Sequence, residues 1–222
     1  MATESFSFTL RQAVTHADLL RACAVRAEAY GRKSPEYREP MLSPDEVDAS
    51  PWTAVYLCED KVTGDAVGTM RIQTTAYGGA LEIEKYAEVP ADLKKHGRGE
   101  ISRLSAVPGA DPFVRLAMWK AGYLHCLASN IRWLILGVRK PGLLKAYEQM
   151  GAKDVTESVA LPYAGNLIYR VLGLDVLAAE SDWQNRNHPL LQFMVGTTHP
   201  DIYMPSMHRP RHVVDRPDVS VL

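Results

Sequence analysis

The stretch Gly99-Glu100-Ile101-Ser102-Arg103-Leu104-Ser105-Ala106-Val107 decides how the rest of this chain is interpreted. It places a carboxylate, a guanidinium and hydroxyl groups in an otherwise apolar run that has the length of a strand. A buried polar group without a partner costs roughly 1–3 kcal/mol, so these side chains need partners or a chemical role. The Pro108-Gly109 turn and a long apolar helix follow at once. Together they predict a site built where a sheet opens.

The composition indicates an ordinary globular protein with a sizeable core. The chain has 222 residues, of which 46% are hydrophobic and 23% are charged. The 25 Lys and Arg residues are balanced by 26 Asp and Glu residues. No global field therefore favours nucleic acid as a partner. Because no run of about 18 apolar residues occurs, we expect no transmembrane helix.

The cysteines and the N-terminus predict a cytoplasmic protein. Cys23, Cys58 and Cys126 are widely spaced and odd in number, which favours reduced thiols over a disulfide framework. The first residues lack the basic start and apolar core of a secretory signal. The sequence gives no indication of the oligomeric state.

Strand-like and helix-like segments follow one another along the chain in an order typical of a mixed α/β or α+β domain around one sheet. We assign residues 1–177 to this domain. From residue 178 the composition shifts, with a small helix predicted over 182–195 and several prolines. Residues 178–222 are therefore expected to be an extension that packs on the domain or on a partner. The predicted strands span residues 5–12, 53–59, 65–75, 99–107, 133–138, 152–161 and 166–174, and the predicted helices span 15–30, 111–130 and 143–150.

Charged residues recur at suggestive places in these elements. Arg71 lies in the middle of a predicted strand and needs an acidic partner there. A regular strand places Glu100 and Arg103 on opposite faces, unless a bulge turns them together. Any one such charge is more often solvated or paired than functional. The whole set consists of Arg26, Asp45, Asp48, Arg71, Glu100 and Arg103.

The spacing of this set resembles that of the acyl-homoserine lactone synthases, which share the GNAT N-acyltransferase fold. The matching motifs are Arg26, the acidic Asp45-Glu46-Val47-Asp48 loop, Arg71 and the strand Glu100-Ile101-Ser102-Arg103. The resemblance covers residues 19–107, and residues 108–151 fit the same fold. It is closer still to the related N-acyl amino acid synthases, which join a long fatty acyl group from acyl carrier protein to an amino acid amine. It therefore implies an acyltransferase with that reaction.

Two departures from the family pattern bear on the substrates. Many GNAT enzymes hold the pyrophosphate of coenzyme A with a Q/R-x-x-G-x-G/A loop at a helix N-terminus. Residues 107–113 instead contain two prolines, which lack amide donors, and Asp111, which repels phosphate. A pantetheine arm on a carrier protein is therefore favoured over coenzyme A. Residues 27–33 contain one aromatic residue only, which favours an open-chain amino acid over a lactone-forming substrate.

The resemblance also implies roles for individual residues. Glu100 would take a proton from the incoming ammonium, and amides of residues 104–106 would face the thioester oxygen. Tyr147 is either a core tyrosine or the group that protonates the leaving thiolate. The expected catalytic residues are Glu100, Ser102, Arg103 and Tyr147, and the expected substrate-binding residues are Arg26, Asp45, Asp48, Arg71, Leu104, Ser105 and Ala106.

Other groups leave alternatives open. Lys120, Arg132, Arg139, Lys140 and Lys145 are either a surface for acidic acyl carrier protein or scattered solvated charges. For the carrier surface itself we assign Arg139, Lys140 and Lys145. His199, His208 and His212 do not suit zinc, since Pro210 interrupts them and no cysteine joins them.

We therefore expect no metal and no tightly bound cofactor, with the acyl-phosphopantetheine of acyl carrier protein, or acyl-CoA, as donor substrate. The alternative functions are an acyl-homoserine lactone synthase and a non-catalytic acyl-carrier or lipid-binding module.

Overall fold

The computed structural model describes residues 2–32, 34–76, 78–162 and 165–204. The strands are β1 (Ala2–Thr3), β2 (Phe8–Gln12), β3 (Thr53–Asp60), β4 (Ala66–Thr74), β5 (Arg98–Ala106), β6 (Trp133–Val138), β7 (Lys153–Leu161), β8 (Leu167–Asp175) and β9 (Thr197–Thr198). The helices are α1 (His16–Gly31), α2 (Ala91–Lys94), α3 (Phe113–Ala128), α4 (Pro141–Gln149) and α5 (Val176–Asn185). Within these ranges no helix combines the length and apolar character that a membrane span requires.

One seven-stranded sheet organises the chain, in the order β2-β3-β4-β5-β6-β8-β7. All neighbours are antiparallel except β5 and β6, which are parallel. The β5–β6 pairing begins at Arg98–Trp133 and stops at Ile101–Leu136. Beyond that point β5 continues along β4, and β6 continues along β8. The sheet therefore opens between β5 and β6, and the predicted mixed α/β architecture is confirmed.

Helices cover both faces of the sheet. α1 packs over Val55 and Leu57 of β3. On the other face, α3 packs over Met70 and Ile101. Gly122 of α3 permits this approach, because a Cβ atom there would lie 2.6 Å from Cδ1 of Ile101. Both helices also contact β5, one of the two strands that border the opening.

Capping side chains determine where the helices α1 and α5 begin. Thr15 caps α1 and forms a reciprocal capping box with Asp18. The prediction of a helix over 182–195 is wrong. α5 begins at Val176, because the side chain of Asp175 accepts a hydrogen bond from the amide of Ala178, and it ends at Asn185. The segment 192–196 forms a separate π-helical turn.

Residues beyond the predicted boundary at 178 pack against the domain. Trp183 and Met194 belong to the same hydrophobic cluster as α3. The β9 strand pairs in parallel with β1. At the outer edge of β2, the amide of Leu10 donates to the carbonyl of Asp201, and the amide of Tyr203 donates back to Leu10. The division of the chain at residue 178 stays a prediction, and residues 205–222, including His208 and His212, lie outside the described residues.

Candidate active site

A cavity of about 490 Å³ fills the opening between β5 and β6. On the α3 side its wall includes Leu143 and Tyr147 of α4. On the α1 side it includes Tyr30, Met41 and Tyr169. The cavity therefore reaches both faces of the sheet. The residues of β5, the following turn and β6 that line it are Glu100, Ile101, Ser102, Arg103, Leu104, Ser105, Ala106, Val107, Pro108, Gly109, Ala110, Asp111, Pro112, Gly137 and Val138.

A bulge shapes the β5 side of this cavity. Thr69 pairs with Ser105 and Arg71 pairs with Ser102, so β5 carries one residue more than β4 between these pairs. Arg103 sits in the bulge with a φ of 55°. Successive amides of a strand point to opposite neighbours. With β6 departing after Ile101, the β5 amides on that edge face the cavity.

The bulge also decides where Arg103 points. Its Nη2 lies 3.4 Å from Oδ2 of Asp45, and Nη1 of Arg71 lies 2.7 Å from Oδ1 of the same carboxylate. Ser102 accepts a hydrogen bond of 3.0 Å from Nε of Arg71. Since Glu100 is two residues before Ser102, it shares this face. The bulge thus gathers Glu100, Arg71 and Arg103 on one side of the sheet.

Arg71 is the centre of a buried ionic network. Only 1% of its surface is exposed. Besides Asp45, its Nη2 donates to Glu82 at 2.8 Å, and its Nη1 lies 3.5 Å from Asp48. Burial opposes ionisation of Asp45, but the charge of Arg71, the hydrogen bonds that Asp45 accepts and the charge of Arg103 together outweigh it and lower the pKa of Asp45 to about 2. The expectation that Arg71 has an acidic partner is therefore confirmed. Its acidic neighbours are Asp45, Asp48 and Glu82.

Arg26 and Asp48 form a second buried pair next to the first. Nη1 and Nη2 of Arg26 donate to the two carboxylate oxygens of Asp48 at 2.7 and 3.0 Å. Asp45 and Asp48 also accept each other's backbone amides, which closes the loop into a compact turn. Neither Arg26 nor Asp48 lines the cavity. Their substrate-binding role stays a prediction, and here they fix the acidic loop to α1.

Glu100 has the properties of a base that works near neutral pH. It is 2% exposed and lines the cavity. Burial raises the pKa of Glu100 to about 7, the hydrogen bond of 2.9 Å from the amide of Ile83 opposes this rise, and the negative charge of Glu82 adds to it. A carboxylate with such a pKa both accepts and releases a proton at physiological pH.

Tyr147 of α4 lies in the cavity wall on the α3 side of the sheet. Its ring makes an edge contact with Trp119, with 4.6 Å between ring centres. Burial raises the pKa of Tyr147 well above the usual value. The phenol is therefore protonated at neutral pH, which both the core interpretation and the proton-donor interpretation require.

The basic residues divide into two groups. Arg139 and Lys140 are exposed and lie at the cavity rim, where Arg32 and Arg115 join them. No sequence motif indicates Arg32 or Arg115, since neither belongs to one. Lys145 is exposed on α4 outside the cavity wall. The rim is therefore cationic.

Lys120 does not belong to such a surface, contrary to one of the two interpretations, whereas Arg132 is partly exposed. Lys120 is 5% exposed, and its Nζ donates to the carbonyls of Phe193 and Thr197 at 2.8 and 2.6 Å. Arg132 is paired with Asp175 at 3.1 Å. Both therefore anchor the C-terminal segments. A buried lysine on an otherwise apolar helix face needs hydrogen-bond partners, and two backbone carbonyls provide them here.

The N-terminus of α3 is occupied by the chain's own carboxylate. Oδ1 of Asp111 accepts a hydrogen bond of 2.9 Å from the amide of Phe113, and Pro112 has no amide hydrogen. The amide of Val114 donates to the carbonyl of Asp111. A helix N-terminus is a suitable place for an external anion. At α3 the carboxylate of Asp111 already takes that place.

Glu82 and Gln73 are site residues that the sequence analysis missed. Gln73 accepts the amide of Glu82 at 2.9 Å, which places the Glu82 carboxylate against Arg71. The following residue, Ile83, donates its amide to Glu100. Residues 81–96 mix charges without a period, so no sequence signal identified this contact.

The remaining candidates take no part in the site. Cys23, Cys58 and Cys126 are free and buried, as expected of core cysteines. In the part of the chain that the structure describes, no group of three or more His, Cys, Asp or Glu residues is arranged to hold a metal ion. His199 is buried against Lys120, with 2.9 Å between Nδ1 and Nζ.

Comparison with known proteins identifies the fold. No protein-family model and no curated protein matches the chain. Among solved structures, a putative acetyltransferase of the GNAT family from Desulfovibrio desulfuricans is 15% identical, with a TM-score of 0.53 over 76% of this chain and 99% of that one. The chain has the GNAT fold. The expected resemblance is therefore confirmed at the level of the fold.

Two further structures with the same fold carry more specific names. FeeM, an N-acyl amino acid synthase from uncultured soil microbes, is 15% identical, with a TM-score of 0.61 over 84% of this chain and 98% of FeeM. BjaI, a CoA-dependent acyl-homoserine lactone synthase, is 14% identical, with a TM-score of 0.57 over 87% of this chain and 92% of BjaI. The GNAT fold is thus shared with both kinds of synthase.

The buried pair under the acidic loop yields a stability prediction. Replacing Asp48→Asn leaves the guanidinium of Arg26 without its anion, and breaking such a buried pair costs about 3–5 kcal/mol. Urea unfolding should report a loss of this size. Asp92→Asn is the matched control, because Asp92 is paired with Lys95 in an exposed contact worth about 1 kcal/mol or less. Equal losses in the two variants would contradict the structural role of Asp48.

Proposed function

We propose that this chain is an N-acyltransferase that moves a long-chain fatty acyl group from acyl carrier protein to the amine of an amino acid. The observation that carries the proposal is the position of Glu100. Its carboxyl, with a pKa of about 7, borders a cavity that passes through the opening of a GNAT sheet. The similarity to FeeM supports the choice of reaction.

The residues of the site suit acyl transfer from a thioester. Glu100 takes a proton from the ammonium of the amino acid, and the freed amine attacks the thioester carbon. A C–N bond forms, the C–S bond breaks with release of the pantetheine thiolate, and the nitrogen loses its second proton to solvent. The β5 amides that face the cavity stabilise the oxyanion. The phenol of Tyr147, which is protonated at neutral pH, supplies a proton to the thiolate.

Arg103 is the side chain best placed to bind the carboxylate of the amino acid. Arg71 is surrounded by carboxylates of the protein, whereas Arg103 reaches Asp45 at 3.4 Å only and lines the cavity. A guanidinium with donors left over pairs readily with an incoming carboxylate. Ser102 stays a candidate catalytic residue beside this pocket. Its hydroxyl accepts a hydrogen bond from Arg71.

Two features favour acyl carrier protein as the donor. The cationic rim formed by Arg32, Arg115, Arg139 and Lys140 complements an acidic carrier. The α3 N-terminus, where coenzyme A phosphates would bind, is capped by Asp111. Since the cysteines are free, we place the reaction in the cytoplasm, where acyl carrier protein is available.

The proposal is tested by product analysis. The purified chain is incubated with palmitoyl carrier protein, a mixture of amino acids and S-adenosylmethionine, and extracted lipids are identified by mass spectrometry. An N-acyl amino acid is expected. An acyl lactone formed from S-adenosylmethionine would assign the chain to the alternative synthase class. Carrier binding without any product would identify a binding module instead.

Glu100→Gln should lower turnover at pH 7.5 by about 100-fold or more, since general base catalysis contributes 10²–10⁴-fold in typical cases. In the wild type, kcat/KM should rise tenfold per pH unit below pH 7 and level off above it, because only the carboxylate form of Glu100 accepts the proton. The variant should lack this acid limb. Glu180→Gln on the exposed surface of α5 is the control and should keep it. A limb retained in Glu100→Gln would remove Glu100 from the mechanism.

The rim is tested by charge reversal. Arg139→Glu combined with Lys140→Glu should raise the KM for the carrier substrate by roughly tenfold at low salt, because rim charges steer association. The effect should shrink as salt is added, while kcat stays near that of the wild type. Lys94→Glu on α2, away from the cavity, is the control. An unchanged KM would show that the carrier docks elsewhere.

A further inference from the structure

Gly137 occupies a particular position at the opening of the sheet. The last β5–β6 pair is Ile101–Leu136, so Gly137 is the first β6 residue beyond the point where β5 departs. It is still held in the sheet by its pairing with Val171 of β8. Gly137 lines the cavity together with Val138, whereas Leu136 is buried outside the cavity wall.

Backbone conformation does not require a glycine here, and a Cβ atom would be tightly packed only against the end of the flexible Ile83 side chain. The φ of Gly137 is not in the left-handed region. By contrast, a Cβ atom at Gly173 of β8 would lie 2.5 Å from Val155, so packing explains that glycine. A glycine in a strand interior costs about 0.5–1 kcal/mol relative to alanine. A strand glycine that backbone strain does not require is often found where a ligand approaches the backbone.

The surroundings of Gly137 indicate which part of a substrate would lie beside it. Gly137 lies on the same face as Ile135, which pairs with Glu100. A Cβ atom at Gly137 would lie 3.2 Å from Cδ1 of Ile83, 3.7 Å from Cδ1 of Leu161 and 3.8 Å from Cδ1 of Tyr169. All of these neighbours are uncharged. A side chain at this position would therefore narrow an apolar part of the cavity beside the base.

We propose that Gly137 determines specificity by keeping this apolar branch open for the acyl chain, an inference that rests on the proposed acyl transfer. Of the two substrates, the amino acid brings charges and the acyl chain brings none. The charged groups that suit the amino acid, Glu100 and Arg103, lie across the opening on β5. Gly137 thus limits the length of acyl chain that the enzyme accepts.

The test compares Gly137→Ala and Gly137→Val with wild type, using hexanoyl, decanoyl and hexadecanoyl carrier protein. One methylene too many in an apolar pocket changes kcat/KM by about 10–200-fold. In Gly137→Val, the ratio of hexadecanoyl to hexanoyl kcat/KM should fall at least about tenfold. Gly137→Ala should show a smaller shift in the same direction, since its Cβ needs only the end of Ile83 to move.

Gly142→Val is the matched control. Gly142 lies in the first turn of α4, and a Cβ atom there would have no neighbour within 4 Å. This variant should keep the wild-type chain-length profile. Thermal unfolding checks that each variant is folded, and Gly137→Ala carries the test if the valine variant does not fold.

Direct binding separates this inference from the proposed function. Calorimetric titration with hexanoate, decanoate and hexadecanoate needs no turnover, and Gly137→Val should lose hexadecanoate binding selectively. If the wild type forms no product yet this selective loss occurs, the proposed function fails and the branch assignment stands. An unchanged chain-length preference, a uniform loss, or a loss that follows the size of the amino acid would overturn the role of Gly137.

Discussion

The buried guanidinium of Arg71 is the interaction on which the candidate site depends. A charge inside a protein costs several kcal/mol unless its partners compensate for it. Here the compensation comes from Asp45, Glu82 and Ser102, which belong to three different segments. The acidic loop, the segment before α2 and the bulge of β5 are therefore held in place together. Burial raises the pKa of the neighbouring Glu100 to about 7, the charge of Glu82 adds to this rise, and the charge of Arg71 opposes it.

Local signals in the sequence predicted much of the fold. The capping residues of α1 and the mid-strand position of Arg71 each carry a physical requirement that can be read without a structure. The start of α5 was misplaced, because Asp175 was not recognised as a cap at the end of a strand. The bulge at Arg103 was one of two possibilities, since hydrogen-bond register depends on neighbouring strands and not on the strand itself.

Polar contacts between distant parts of the chain could not be predicted from the sequence. Lys120 was considered as a surface cation, but it is buried because carbonyls of a segment more than seventy residues away receive its hydrogen bonds. Glu82 was overlooked for the same reason, since its role depends on Gln73 and Arg71. Residue type and spacing indicate that a charge needs a partner. They do not identify the partner when it comes from an irregular segment.

The contact between the two ends of the described chain bears on how the protein is made. The outer edge of β2 is covered by the segment around Asp201, and the amide of Phe6 donates to a carboxylate 195 residues further along. During synthesis on the ribosome, β2 emerges early and its covering segment emerges late. Until then the edge strand is open to pairing with other chains. The nascent protein therefore passes through a period of exposure that ends only when the C-terminal segment has docked.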